Sequence, residues 1–138
     1  MTINAFIDGA SRNNPGESGI GVILKDHQGA TLHKVYGYIG KATNNVAEYK
    51  ALLKCLKTVR NIPCERLVVH SDSELMVRQL NGEYRVKDLA LKRHVAQVHR
   101  LLDKAPFQFE IKHVTREQNK EADRLANLGI DSKRRVAV

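Results

Sequence analysis

Between residues 3 and 42 apolar side chains recur at every second position in successive short segments, and from residue 46 onward helix-length and strand-length patterns alternate. That change of period is what most narrows the choice of fold. "INAFID" (3–8) alternates as a strand and is followed by the turn-rich "GASRNNPGESG". Beyond it, "IGVILKD", the turn "HQG" and "TLHKVYGYIG" read as a hairpin. Thr43, Asn44 and Asn45 are N-cap candidates for a helix whose apolar positions Val46, Tyr49, Leu52, Leu53, Leu56 and Val59 lead up to "NIP". "RLVVHSD" (66–72) is a short, β-branched strand of the buried type, "SELMVRQL" a short helix and "DLALKRHVAQVHRLLDKA" a longer one. "FQFEIKHV" (107–114) is a strand, and "EQNKEADRLANLG" a last helix ended by Gly129. The order βββαβααβα predicts an α/β domain on a five-stranded mixed sheet, antiparallel over its first three strands and parallel afterwards, flanked by helices. With 138 residues, 42% of them hydrophobic, the chain suits one core over residues 1–130, followed by a basic tail, "DSKRRVAV" (131–138).

In such sheets ligands gather at the carboxyl ends of the parallel strands. Asp8 ends the first predicted strand and Asp72 the fourth. Glu48 lies about one turn into the helix that crosses between them, and Asp123 sits in the final helix, which enters from the fifth strand. Taken singly, Asp8 could open a turn, Asp72 could cap the short helix, and Glu48 and Asp123 could lie on solvated faces. Together these readings leave Glu48 unexplained, because Ala47, Ala51, Leu52 and Cys55 put it on or beside the buried face. A buried acid needs a partner, and no lysine or arginine is an obvious one. Two carboxylates about 5 Å apart repel by roughly 3 kcal/mol at an effective dielectric near 20. Divalent cations that prefer oxygen ligands relieve this; Mg²⁺ takes a few carboxylates, waters and substrate phosphate oxygens, and a pair of such ions clamps an in-line phosphoryl displacement.

Charge fits a polyanionic partner: Lys plus Arg number 23 against 15 Asp plus Glu, a net +8. No run of about 18 apolar residues could span a bilayer, so no membrane partner is expected, and "MTINAFID" lacks the features of a signal peptide. The expectation is a cytoplasmic monomer with Cys55 and Cys64 reduced and structural.

Four segments, "IDGASRNNPGESGIGVIL", "ATNNVAEYKALL", "VVHSDSELMVRQL" and "HVTREQNKEADRLAN", resemble the signature blocks of the type 1 ribonuclease H family in order and interval, and they cover most of the chain. The resemblance implies a ribonuclease H-like fold and an endonuclease that hydrolyses the RNA strand of an RNA/DNA hybrid with Mg²⁺ or Mn²⁺, leaving 5′-phosphate and 3′-hydroxyl ends. It implies that Asp8, Glu48, Asp72 and Asp123 bind two metal ions and that Asn14, Asn44 and Asn45 line the minor groove. Thr43 would hold a phosphate of the DNA strand. His113 stands at the interval of a mobile histidine that aids proton transfer or product release, and a loop there suits that role. If "HVTRE" instead ends the fifth strand, His113 is fixed and the mobile role passes to Arg116, which is otherwise expected among the nucleic-acid contacts.

Departures from the family pattern limit the carry-over. There is no tryptophan, and the segment between "VRQL" and "RHVAQV" is too short for the basic, aromatic protrusion with which some members grip DNA. Glu74 stands where many members have an amide facing the RNA. Lys133, Arg134 and Arg135 of the tail, or Lys87, Lys92, Arg93 and Arg100, would then supply the charge. A non-catalytic hybrid- or RNA-binding module of the same fold is the alternative, followed by a nuclease acting on double-stranded RNA or DNA junctions. His27, His33, His70, His94 and His99 carry no expected role.

Overall fold

The computed structural model describes all 138 residues. Its elements are β1 (Thr2–Ser11), β2 (Gly16–Lys25), β3 (Thr31–Ala42), α1 (Asn44–Val59), β4 (Arg66–Ser71), α2 (Glu74–Leu80), α3 (Leu89–Asp103), β5 (Gln108–His113), a short 3-10 turn (Glu117–Asn119) and α4 (Lys120–Ser132). The sheet order is β3-β2-β1-β4-β5, with β1/β2 and β2/β3 antiparallel and β1/β4 and β4/β5 parallel, which is the mixed sheet the periodicity predicts.

Alternation along the central strands builds a core on each face. Ile3, Ala5 and Ile7 of β1 and Ile20, Val22 and Leu24 of β2 pack with the apolar stripe of α1, including Tyr49, Leu52 and Leu56. On the opposite face Phe6 and Ile23 meet Ala122 and Leu125 of α4.

Two element boundaries differ from expectation. Strand β1 does not end at Asp8 but continues to Ser11, because β2 pairs with it as far as Ser11↔Ser18, whereas its parallel partner β4 stops at Ile7↔Ser71. Asp8 therefore stands where one side of the strand loses its neighbour. Gly129 does not end the last helix. A Cβ there would lie 2.5 Å from the Gly37 carbonyl oxygen, so this glycine lets α4 lie directly on β3. The helix stops instead at Lys133, which adopts a left-handed conformation (φ 54°).

The expected basic tail also differs, since its first two residues complete α4 and the rest returns along the outer edge of β3. Tyr38 N–H donates to the Arg134 carbonyl (2.8 Å) and Val136 N–H to the Tyr38 carbonyl (3.1 Å). Val136 seats over Gly37, and Lys57 Nζ donates to the Val138 carbonyl (2.7 Å). The segment covers an open sheet edge. Two of its cations are engaged locally, Lys133 with Glu17 at 3.1 Å and Arg135 over the Tyr38 ring.

Candidate active site

Where β4 ends and β1 continues, the chain opens a cleft of about 480 Å³ lined by Asp8, Glu48, Asp72 and Asp123 together with Asn44, Asn45, Arg116 and Lys120. Each acid arrives on a different element. Asp8 is 5% exposed and Glu48 7%, while Asp72 is half-buried and Asp123 exposed. Ligand oxygens of Asp8, Glu48 and Asp72 all lie within 4.8 Å of one another.

Local sequence explains this convergence. Thr43 caps α1, its Oγ1 accepting from Val46 N–H at 3.2 Å, so Glu48 falls on the fifth helical residue, facing β1. There Gly9 N–H donates to Glu48 Oε1 at 2.5 Å. The helix comes this close because residue 9 has no side chain; a Cβ would sit 2.2 Å from the Ala47 carbonyl carbon. Ser73, and not Asp72, caps α2, accepting from Met76 N–H at 3.2 Å, which leaves the Asp72 carboxylate for the cleft. Asp123 enters on the first turn of α4 and lies within hydrogen-bond reach of Asp8.

The electrostatics are those of a crowded acid cluster in which Asp8, Glu48 and Asp72 make no salt bridge. Burial, and then the charges of Glu48 and Asp72, push the Asp8 carboxyl well above the ordinary carboxylate range. Burial also raises Glu48 and the Asp72 charge adds to it; the Gly9 N–H, a hydrogen bond with Asp8 and the charge of Arg116 work the other way. At 4.8 Å two ionised carboxylates repel by about 3.5 kcal/mol at an effective dielectric near 20. Hard oxygen donors, crowded and buried without a contacting lysine, match what a divalent cation such as Mg²⁺ requires.

The remaining predicted residues divide between the cleft wall and its support. Asn45 lines the cleft directly. Asn44 does too, and it braces the frame: its Oδ1 accepts from Ser11 N–H and its own N–H donates to Asn14 Oδ1, both at 2.9 Å. Asn14 and Thr43 thus stand behind Asn44 and outside the lining. His113 is not in a loop. It is the last residue of β5, paired with Ser71 in the ladder, exposed and outside the cleft lining, because β5 holds its pairing with β4 to the end of both strands. Arg116, three residues on, is in the lining and close enough to act on Glu48. Glu74 has a counter-charge, Arg78, at 3.3 Å. The sequence reading did not single out Ser11, Ser73 or Lys120, which also line the cleft. Nor did it single out Asn119, buried beneath the cleft.

Residues 6–129 match the family model described as reverse transcriptase-like. The ribonuclease HI of Halobacterium salinarum is 36% identical over 129 residues, covering 94% of this chain; the chain spans 64% of that protein's length. The ribonuclease H of Methylococcus capsulatus is 31% identical over 144 residues, covering 94% of this chain and 90% of its own. Among solved structures, LC11-RNase H1 from a compost metagenome, crystallised with an RNA/DNA hybrid, superposes with a TM-score of 0.90 at 40% identity, covering 94% of this chain and 97% of that one.

Proposed function

Because the chain belongs to the type 1 ribonuclease H family, we propose that it is an endonuclease hydrolysing the RNA strand of RNA/DNA hybrids and leaving 5′-phosphate and 3′-hydroxyl ends. The observation that carries this reading is the trio Asp8, Glu48 and Asp72, the first two buried and the third half-buried, with ligand oxygens within 4.8 Å of one another and no salt bridge to a lysine or arginine. With Asp123 at its margin the trio would hold two divalent cations, Mg²⁺ or Mn²⁺, whose chemistry when bound is to activate water and to neutralise charge on the attacking and leaving oxygens.

The chain's own residues do the rest. Glu48, fixed by the Gly9 amide, presents a carboxylate of set orientation beside the scissile phosphate. Asn44 and Asn45 line the cleft at the N-terminus of α1, where amides suit the 2′-hydroxyls of a wide minor groove and the helix end favours phosphate. Thr43 and Asn14 set that helix end in place. Arg116, a cation of the cleft lining whose charge acts on Glu48, takes the auxiliary role in turnover in preference to His113. Exposed cations on α3, among them Lys92, Arg93 and Arg100, supply non-specific grip. One chain supplies all four acids, so the active unit is a monomer, and we place it in the cytoplasm. No helix is long and apolar enough to cross a membrane.

The test offers uniformly labelled hybrid, double-stranded RNA, single-stranded RNA and DNA duplex side by side with Mg²⁺, Mn²⁺ or chelator. Hybrid alone is cut efficiently, and chelator abolishes cleavage. Equal cutting of double-stranded RNA overturns the substrate class. Hybrid binding without cleavage in either metal makes the chain a binding module.

A further inference from the structure

Asn119 is 1% exposed at the junction of the 3-10 turn and α4, and it touches the machinery from behind. Its Nδ2 donates to the Ile7 carbonyl at 2.8 Å and reaches Asp72 Oδ2 at 3.5 Å, while its Oδ1 is buried without a partner. Both neighbours of Nδ2 are acceptors, so only a group with two N–H donors on one short arm satisfies them. The reverse orientation of the amide would set oxygen against oxygen. Ile7 precedes Asp8 on β1, Asp72 follows β4, and Asp123 lies one turn beyond Asn119 on α4. A single amide thus ties together the three elements that deliver three of the four acids, and it does so at the cost of an orphaned oxygen. It makes no side-chain capping bond to α4, so capping does not account for the residue.

We propose that Asn119 is a positioning residue for Asp72: by holding Oδ2 it fixes the rotation of that carboxylate and leaves the second oxygen to a cation. This rests on the metal-dependent reading of the acid cluster. Groups that orient a ligand from behind characteristically set metal affinity 10- to 100-fold, and Asn119 does so without touching substrate.

Three variants test it. Asn119→Ala removes both donors, Asn119→Asp keeps the shape but opposes two acceptors with a third, and Asn119→Ser keeps one donor. Two readouts are needed: Mn²⁺ affinity of the metal-free protein without nucleic acid, by calorimetry, and the Mn²⁺ concentration giving half-maximal hybrid cleavage. We expect both constants to weaken by about 10-fold or more in the Ala and Asp variants, less in Ser, with KM for hybrid within about twofold and part of the lost kcat recovered at high Mn²⁺. If Asn119→Ala does not fold, the isosteric Asp variant carries the test. Variants whose melting temperature falls equally with and without Mn²⁺, at unchanged Mn²⁺ affinity, would show a purely structural residue and overturn the proposal. Wild-type protein that binds no Mn²⁺ and cuts nothing overturns the metal reading as well; wild type that binds and cuts alongside unaltered variants overturns this proposal alone.

Discussion

Asp8→Asn keeps the side chain's shape and removes one charge from a trio whose ligand atoms lie within 4.8 Å. Fully ionised, one such pair costs about 3.5 kcal/mol at an effective dielectric near 20. A proton shared between Asp8 and Glu48 relieves part of this, since both titrate above their ordinary range. The gain left for the metal-free variant near pH 7 is about 1 kcal/mol. Its pH dependence has a definite sign. Both folded-state values are raised, so the folded protein binds more protons than the unfolded chain. Metal-free stability is fully present below the unfolded values near 4 and is lost as pH rises through the raised folded ones. Removing one of these groups flattens the decline: the variant matches wild type near pH 4 and exceeds it above pH 7. Urea denaturation in chelator across that range reads the difference. Added Mg²⁺ then stabilises wild type more than the variant. An Asp8→Asn protein destabilised by about 1 kcal/mol or more, equally at both ends of the range, would refute the crowding argument and make Asp8 an ordinary structural acid.

Three further outcomes follow from the geometry. Arg116→Ala lowers turnover about 10- to 100-fold and His113→Ala leaves it within about threefold under single-turnover conditions; the reverse result returns the auxiliary role to the histidine. Gly9→Ala drives a methyl into the Ala47 carbonyl, so urea denaturation registers a loss of about 1–3 kcal/mol, and cleavage falls at least about 10-fold even in saturating metal as α1 carries Glu48 away. Truncation after Lys133 uncovers Gly37 and the β3 edge and lowers stability by about 1–3 kcal/mol in the same assay; an unchanged midpoint would mean that the segment contributes charge alone.

The sheet and the four acids were legible because each leaves a local signal. Period-two alternation marks β1 to β3, and Glu48 interrupts an apolar helical face where every alternative fate is costly. What escaped depends on neighbours that sequence does not display. Asp8 reads as a strand end because the turn-rich "GASRNNPGESG" follows it, yet pairing with β2 carries the strand on to Ser11. Gly129 has the look of a helix stop, and only the approach of Gly37 shows that it is a packing glycine. "DSKRRVAV" reads by composition as a solvated tail, but its Val136 and Val138 pack against the core. The placing of His113 turned on a strand end, the least certain feature of any sequence pattern, and the ladder with β4 puts it in the strand and not in a loop. Asn119 gave no signal, since its importance lies in two acceptors from distant parts of the chain.

The central claim is that the buried acids exist to hold divalent cations for cleavage of the RNA strand, and Asp72 tests it most directly because Ser73 already serves as the α2 cap. The measurement is single-turnover cleavage, in Mg²⁺, of a hybrid whose RNA strand is labelled, by wild type and by Asp72→Asn, with the product ends identified. The account predicts wild-type products with 5′-phosphate and 3′-hydroxyl ends and a variant at least about 100-fold slower at undiminished metal-free stability. A variant that cuts within a few-fold of wild type, or that fails because it is unfolded without metal, would contradict it.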